Sequence, residues 1–162
     1  MLRYFKPFLA IILFRKGPQD VPYSPGLLAF LCAVGFFLKV ASTSPPPPYS
    51  LTAVLTLFTF IWIALFFKVT LYWVHQKERF MQTYTAAMGA LLLQLILAQV
   101  FLMLLPANAM LSINLVFMVW SLAVMSHITS YALEIRVRYA VLLIIAFEVT
   151  RLLLLWGIYQ SW

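Results

Sequence analysis

The residues that could do chemistry in this chain are few, and the most telling are Glu148 and Arg151. Both stand near the middle of the apolar run "RYAVLLIIAFEVTRLLLLWGIYQSW". Three residues apart on a helix they share a face and can meet, so each neutralises the other. Pairing matters because a lone charge at the centre of a bilayer costs roughly 3 kcal/mol on insertion scales. A static, structural pair is the simpler expectation; a proton or ion path is the functional one. His127 with Glu134 is a second candidate for proton traffic, since histidine titrates near neutrality, although a histidine bonded to a neighbouring helix is the simpler reading. Gln94 is the third polar group at membrane depth. Glu148, Arg151, Gln94 and His127 together form the candidate intramembrane polar cluster. Beyond them the chain shows no nucleophile with a base at helical spacing, no glycine-rich phosphate loop and no paired carboxylates. The two histidines and one cysteine, Cys32, lack metal-ligand spacing, and one cysteine allows no intramolecular disulfide. The expectation is a non-enzymatic protein with no catalytic residue, cofactor or metal.

The elements that must position these groups follow from composition. Of 162 residues, 65% are hydrophobic and 9% charged, against roughly 25% charged in soluble domains. A spanning helix needs roughly 20 mainly apolar residues. Five segments fit: Pro25–Thr43, Ser50–Trp73, Met81–Leu105, Asn108–Tyr131 and Tyr139–Gln160. The predicted fold is all-α: a polytopic bundle of five transmembrane helices over residues 21–162, preceded by an N-terminal segment, residues 1–20. In that segment Arg3, Lys6, Arg15 and Lys16 frame a Tyr/Phe/Leu/Ile surface. This suits an amphipathic helix lying in the cytoplasmic interface, or a short helix packed on the bundle. Pro18, Pro22 and Pro25 break the chain before the first span. The run Pro45 to Pro48 predicts a stiff polyproline II spacer between the first two spans.

The net charge of +7 could mean nucleic acid in a soluble protein; here its distribution points to membrane orientation. Arg3, Lys6, Arg15, Lys16, Lys77, Arg79, Arg136 and Arg138 fall in alternate connections, and the intervening connections carry no base. The positive-inside rule then predicts a cytoplasmic N-terminus and an external C-terminus. Lys39 and Lys68, near span ends, suit snorkelling to the headgroups. Small size and charge bias suit a bacterial inner membrane, with the C-terminus periplasmic.

Packing can also be forecast. Thr83, Ala87, Ala90, Gln94 and Ala98 make one small, polar stripe on the third span, and small residues let helices approach closely in lipid. With Gln94 and the ion pair at similar depth, the third and fifth spans are expected to pack together, Gln94 near Glu148 or Arg151. Ala123, Ser126, His127 and Ser130 make a second patch on the fourth span. Phe58, Trp62 and Phe66 recur every four residues on the second, as a face for lipid or for a partner.

Two stretches carry a family resemblance. "RFMQTYTAAMGALLLQ" is similar to the basic, threonine-containing entry to the third helix of the Yip1-domain family. "VWSLAVMSHITSYALEIRVRYAVLL" is similar to its fourth helix, basic turn and the start of its fifth. "QDVPYSPG" stands where eukaryotic members carry Asp-Leu-Tyr-Gly-Pro. The resemblance spans roughly residues 20 to 160. It implies a membrane protein that binds other membrane proteins or organises lipid, without catalytic residues. The expected function is therefore a membrane adaptor or accessory subunit. Its partners would be the lipid bilayer and another integral membrane protein or a second copy, with no nucleic acid. The alternative is a component of a transporter or proton-conducting assembly using Glu148 and Arg151.

Overall fold

The computed structural model describes residues 2–42, 49–106 and 109–161, with side chains from Lys6 to Gln160. Among these residues there are six α-helices and no strand: α1 (Leu2–Ile12), α2 (Pro25–Ala41), α3 (Tyr49–Trp73), α4 (Phe80–Leu104), α5 (Met110–Leu133) and α6 (Val137–Ser161). Short 3₁₀ turns at Pro18–Asp20 and Lys77–Arg79 precede α2 and α4. The expected polyproline spacer, Pro45 to Pro48, lies outside the described residues. Four helices, α3 to α6, are long and apolar enough to cross a membrane. The expected first span is shorter than forecast. α2 has 17 residues and rises about 25 Å, against the ~30 Å of a hydrocarbon core.

Local chemistry sets where the helices begin and end. α2 starts where Ser24 caps it, its Oγ accepting the Leu27 N–H at 3.2 Å, with Pro25 in the first helical position. That residue's missing N–H is lost at no cost, because the first turn has no internal partner for it. Phe14, His75 and Glu134 all adopt left-handed backbone at φ 60°, 60° and 55°. Each follows a helix end (α1, α3 and α5) and lets the next amide reach back. Arg15 N–H bonds Ala10 O at 2.8 Å, Gln76 N–H bonds Leu71 O at 2.9 Å, and Ile135 N–H bonds Ser130 O at 3.1 Å. These are Schellman closures, which satisfy carbonyls that a helix end leaves bare.

α4 is the central helix. Every residue from Thr83 to Ala90 is buried, because α1, α2, α3 and α5 all pack on it. Its alanines and glycine permit that crowding. Tyr84 ties three helices together: its hydroxyl donates to Phe60 O of α3 at 3.2 Å and takes the Cys32 thiol of α2 at 4.0 Å.

The N-terminal helix packs on the bundle, the second of the two arrangements its sequence allowed. Phe8, Ile11 and Ile12 are fully buried and belong to the same core cluster as the residues of α2 to α6. The Phe8 ring occupies the space that a Cβ on Gly89 would need. α5 supplies the rest of the anchor. Trp120 Nε1–H donates to Ile12 O at 3.1 Å, and His127 Nε2 lies 3.0 Å from Lys16 O. A side-chain donor thus meets a carbonyl at the end of α1, which helps hold this 11-residue helix to the bundle.

Candidate functional site

The ion pair forms as the i, i+3 spacing predicts. Arg151 donates to Glu148 Oε2 from both Nε, at 2.9 Å, and Nη2, at 2.6 Å. The two side chains keep only 22% and 24% of their surface exposed, and they line a cavity of about 310 Å³ among α3, α4, α5 and α6. Arg151 also lines a larger cleft of about 420 Å³ on its other side, between α2, α3, α4 and α6. Just before the pair, Phe147 fixes α6 against α3. Its ring stacks on Trp62 at 6.0 Å and meets Phe66 at 4.5 Å, while Trp62 stacks on Phe58 at 5.8 Å. The every-fourth-residue aromatic stripe of α3 is therefore half-buried as an internal ladder, with α6 as its occupant.

The other polar candidates do not join the pair. α4 packs on α2 and α5, and α6 packs on α5 and α3; the expected α4–α6 contact is not a packing interface. Four of the five residues of the small, polar stripe of α4 are buried, Thr83, Ala87 and Ala90 fully and Gln94 at 5% exposed, while Ala98 is half-buried. The stripe serves other neighbours. Neither Gln94 Oε1 nor Nε2 has a hydrogen-bond partner. His127 donates to Lys16 O, since a carbonyl can only accept. It also packs edge-on against Phe14 and beside Tyr131. Glu134 binds Arg79 at 2.7 Å instead.

An unpartnered buried amide costs about 1–3 kcal/mol. Gln94→Met, which keeps the volume and removes the polar atoms, is expected to raise unfolding stability in mild detergent by about 1–2 kcal/mol. A loss of stability instead would mean that the amide has a partner in the membrane.

The basic connections meet at one end of the bundle. Arg79, after α3, pairs with Glu134 after α5, and a cavity of about 500 Å³ there is lined by Gln19, Arg79, Glu134 and Arg136. Lys16 reaches Asp20 at 3.5 Å within the turn that follows α1. Arg15, Lys77, Arg136 and Arg138 are exposed; Lys77 and Arg138 lie over the rings of Tyr72 and Tyr139. Lys6 is exposed on α1, which also contains Arg3. Lys39 lines the 420 Å³ cleft. Sequence reasoning gave Lys39 an anchoring role and missed Thr52 and Gly35 on the same cleft. The signal available was that Gly35 and Lys39 share a face of α2, four residues apart.

No family model, curated protein or solved structure matches the chain. The function must be argued from these contacts. Among the described residues no group of three histidine, cysteine, aspartate or glutamate side chains could hold a metal ion. Glu148 and Arg151 are tied to each other within α6, and His127 of α5 to Lys16 O just beyond α1.

Proposed function

We propose that the chain is a non-enzymatic integral membrane adaptor or accessory subunit, which works through its helix faces by packing against another membrane protein or organising lipid. The observation that carries this reading is the position of α6. It buries Ala140, Ile144 and Phe147 against the bundle. On its other side Leu142, Ile145, Val149, Leu152, Leu153 and Trp156 form one exposed, uncharged stripe along the helix. An edge helix of this kind, fixed to α3 by aromatic stacking and carrying its own closed ion pair, offers a firm apolar surface for another helix. Packing in lipid rewards such fit.

In this reading α2 crosses the membrane with α3 to α6, giving five spans. The alternation of basic and uncharged connections supports an odd number, with the N-terminus cytoplasmic, the C-terminus outside and a bacterial inner membrane as the setting. A 17-residue helix can cross by local thinning of the bilayer or snorkelling of Lys39, at a cost of fractions of a kcal/mol per Å of mismatch. The resemblance to the Yip1-domain family agrees with a binding role and adds no catalytic residue. The transporter alternative needs Gln94, His127 and the ion pair on one path; a pair closed within α6, with His127 held at Lys16 O and Gln94 unpartnered, favours the structural role.

The test is affinity purification from native membranes in a mild detergent, with mass spectrometry of what remains bound. A stoichiometric membrane protein, or a second copy of the chain, that is lost on Leu152→Arg is the expected result. A partner-free monomer would overturn the protein-packing reading and leave lipid as what the faces bind.

A further inference from the structure

Three connections of the bundle meet at one end and enclose a pocket of about 500 Å³, within the roughly 300–1,000 Å³ of ligand pockets. The turn after α1 contributes Gln19, and the turn before α4 contributes Arg79. The end of α5 and the turn after it contribute Ser130, Tyr131, Glu134 and Arg136. Because α3 and α5 end here and α4 and α6 begin here, the pocket stands at the membrane surface.

Local contacts fix each wall. Glu134, in left-handed backbone, closes α5, and Arg136 O accepts the Tyr139 N–H at 2.9 Å to open α6. Glu134 Oε1 holds Arg79 Nη1 at 2.7 Å, which leaves most of the guanidinium's N–H donors for another acceptor. The Gln19 amide folds over Gly17 and fills the space that a Cβ there would take. The Tyr131 ring rests beside His127 at 4.7 Å.

Charge sets the kind of ligand. Asp20 is engaged by Lys16 and the Gly17 N–H, and Glu134 by Arg79. Glu78 does not line the pocket. Among the described residues no carboxylate pairs with Arg136, which is exposed. The pocket therefore carries net positive charge, and its donors (two guanidiniums, an amide and a phenol) outnumber its acceptors. Such a pocket suits an ionised acceptor, because charge-assisted hydrogen bonds are about twice as strong as neutral ones. Donors that converge from three connections fit oxygens set around a tetrahedral centre better than the two coplanar oxygens of a carboxylate.

We propose that this pocket binds one phosphate-bearing anion, its phosphate taken by Arg136 and Arg79 and the group that carries it lying over Gln19 and Tyr131. The headgroup of an anionic lipid and a soluble phosphate compound share this chemistry. The inference goes beyond the packing role of the helix faces and does not depend on a protein partner.

The first probe is phosphatidylglycerol, offered with an equal amount of phosphatidylcholine to the full chain in mild detergent, with bound lipid read by native mass spectrometry. The wild type should retain one phosphatidylglycerol per chain. Arg136→Gln should lower that retention about fivefold, the effect of one interfacial basic residue, with the melting temperature unchanged. Gln19→Glu keeps every arginine but puts a carboxylate into the pocket, and should lower retention at least as much. Arg138→Gln removes the same charge two residues further on, outside the pocket, and should retain lipid as the wild type does. The second probe is inorganic phosphate, read as a rise in melting temperature of the lipid-free chain that Arg136→Gln abolishes. An Arg136-dependent response to phosphatidylglycerol, with or without one to inorganic phosphate, assigns the site to a lipid headgroup. A response to inorganic phosphate alone assigns it to a soluble phosphate compound. If neither response depends on Arg136, or if Arg138→Gln matches Arg136→Gln, the pocket is not a phosphate site and the proposal falls.

Discussion

Arg151→Met is expected to lower unfolding stability in mild detergent by about 3 kcal/mol, because it leaves the Glu148 carboxylate without its partner. Glu148→Gln should also destabilise, by less, since its amide oxygen can still accept from the guanidinium. The two replacements together should cost less than the sum of the single effects. Geometry supports this order: both Arg151 contacts converge on one oxygen, Glu148 Oε2, at 2.9 and 2.6 Å, so neither group has a comparable substitute nearby. The polar neighbours proposed from sequence offer no rescue. Gln94 makes no hydrogen bond, and His127 is held by Lys16 O. A double-mutant cycle isolates the coupling. Wild-type stability in Glu148→Gln, or strictly additive losses, would show that the pair is not a structural tie and would return attention to conduction.

What the sequence made legible were the features that depend on spacing along one helix. The pairing of Glu148 with Arg151 needs only three residues of helix, and it formed. The burial of Thr83, Ala87, Ala90 and Gln94 needs only a common face, and it formed. The identity of the neighbour was not legible. A small-residue stripe invites any helix, and the α4 stripe is enclosed by α2 and α5 rather than α6. The aromatic stripe Phe58, Trp62 and Phe66 carries the same ambiguity; its partner, Phe147, lies more than 80 residues away and belongs to a helix with several other faces. Arg79 and Glu134 meet, which brings the connections after α3 and α5 to one end of the bundle. Most easily misread was α1, whose charges at both ends and apolar centre suit an interface as well as a bundle. The deciding feature was Gly89, distant in sequence, which leaves room for Phe8.

That contact gives the second large effect. Phe8 is 1% exposed, and Phe8→Ala should cost about 3 kcal/mol, the lower end of the range for such truncations, since in lipid only packing is lost. Gly89→Leu should cost about 1–3 kcal/mol from the other direction, by driving the ring out of its place. Combining the two should recover part of the loss, because the new side chain on α4 enters the space vacated on α1. Hydrogen exchange supplies a local readout alongside the unfolding curves. The amides of α1 should be protected in the wild type, exchange faster in either single variant, and regain protection in the double variant. If α1 instead lay in the interface, Gly89→Leu would leave its exchange unchanged and Phe8→Ala would not couple to it. Trp120 should follow the same pattern: its indole N–H is held by Ile12 O only while α1 is seated, so its protection reports the docking of α1 from the α5 side.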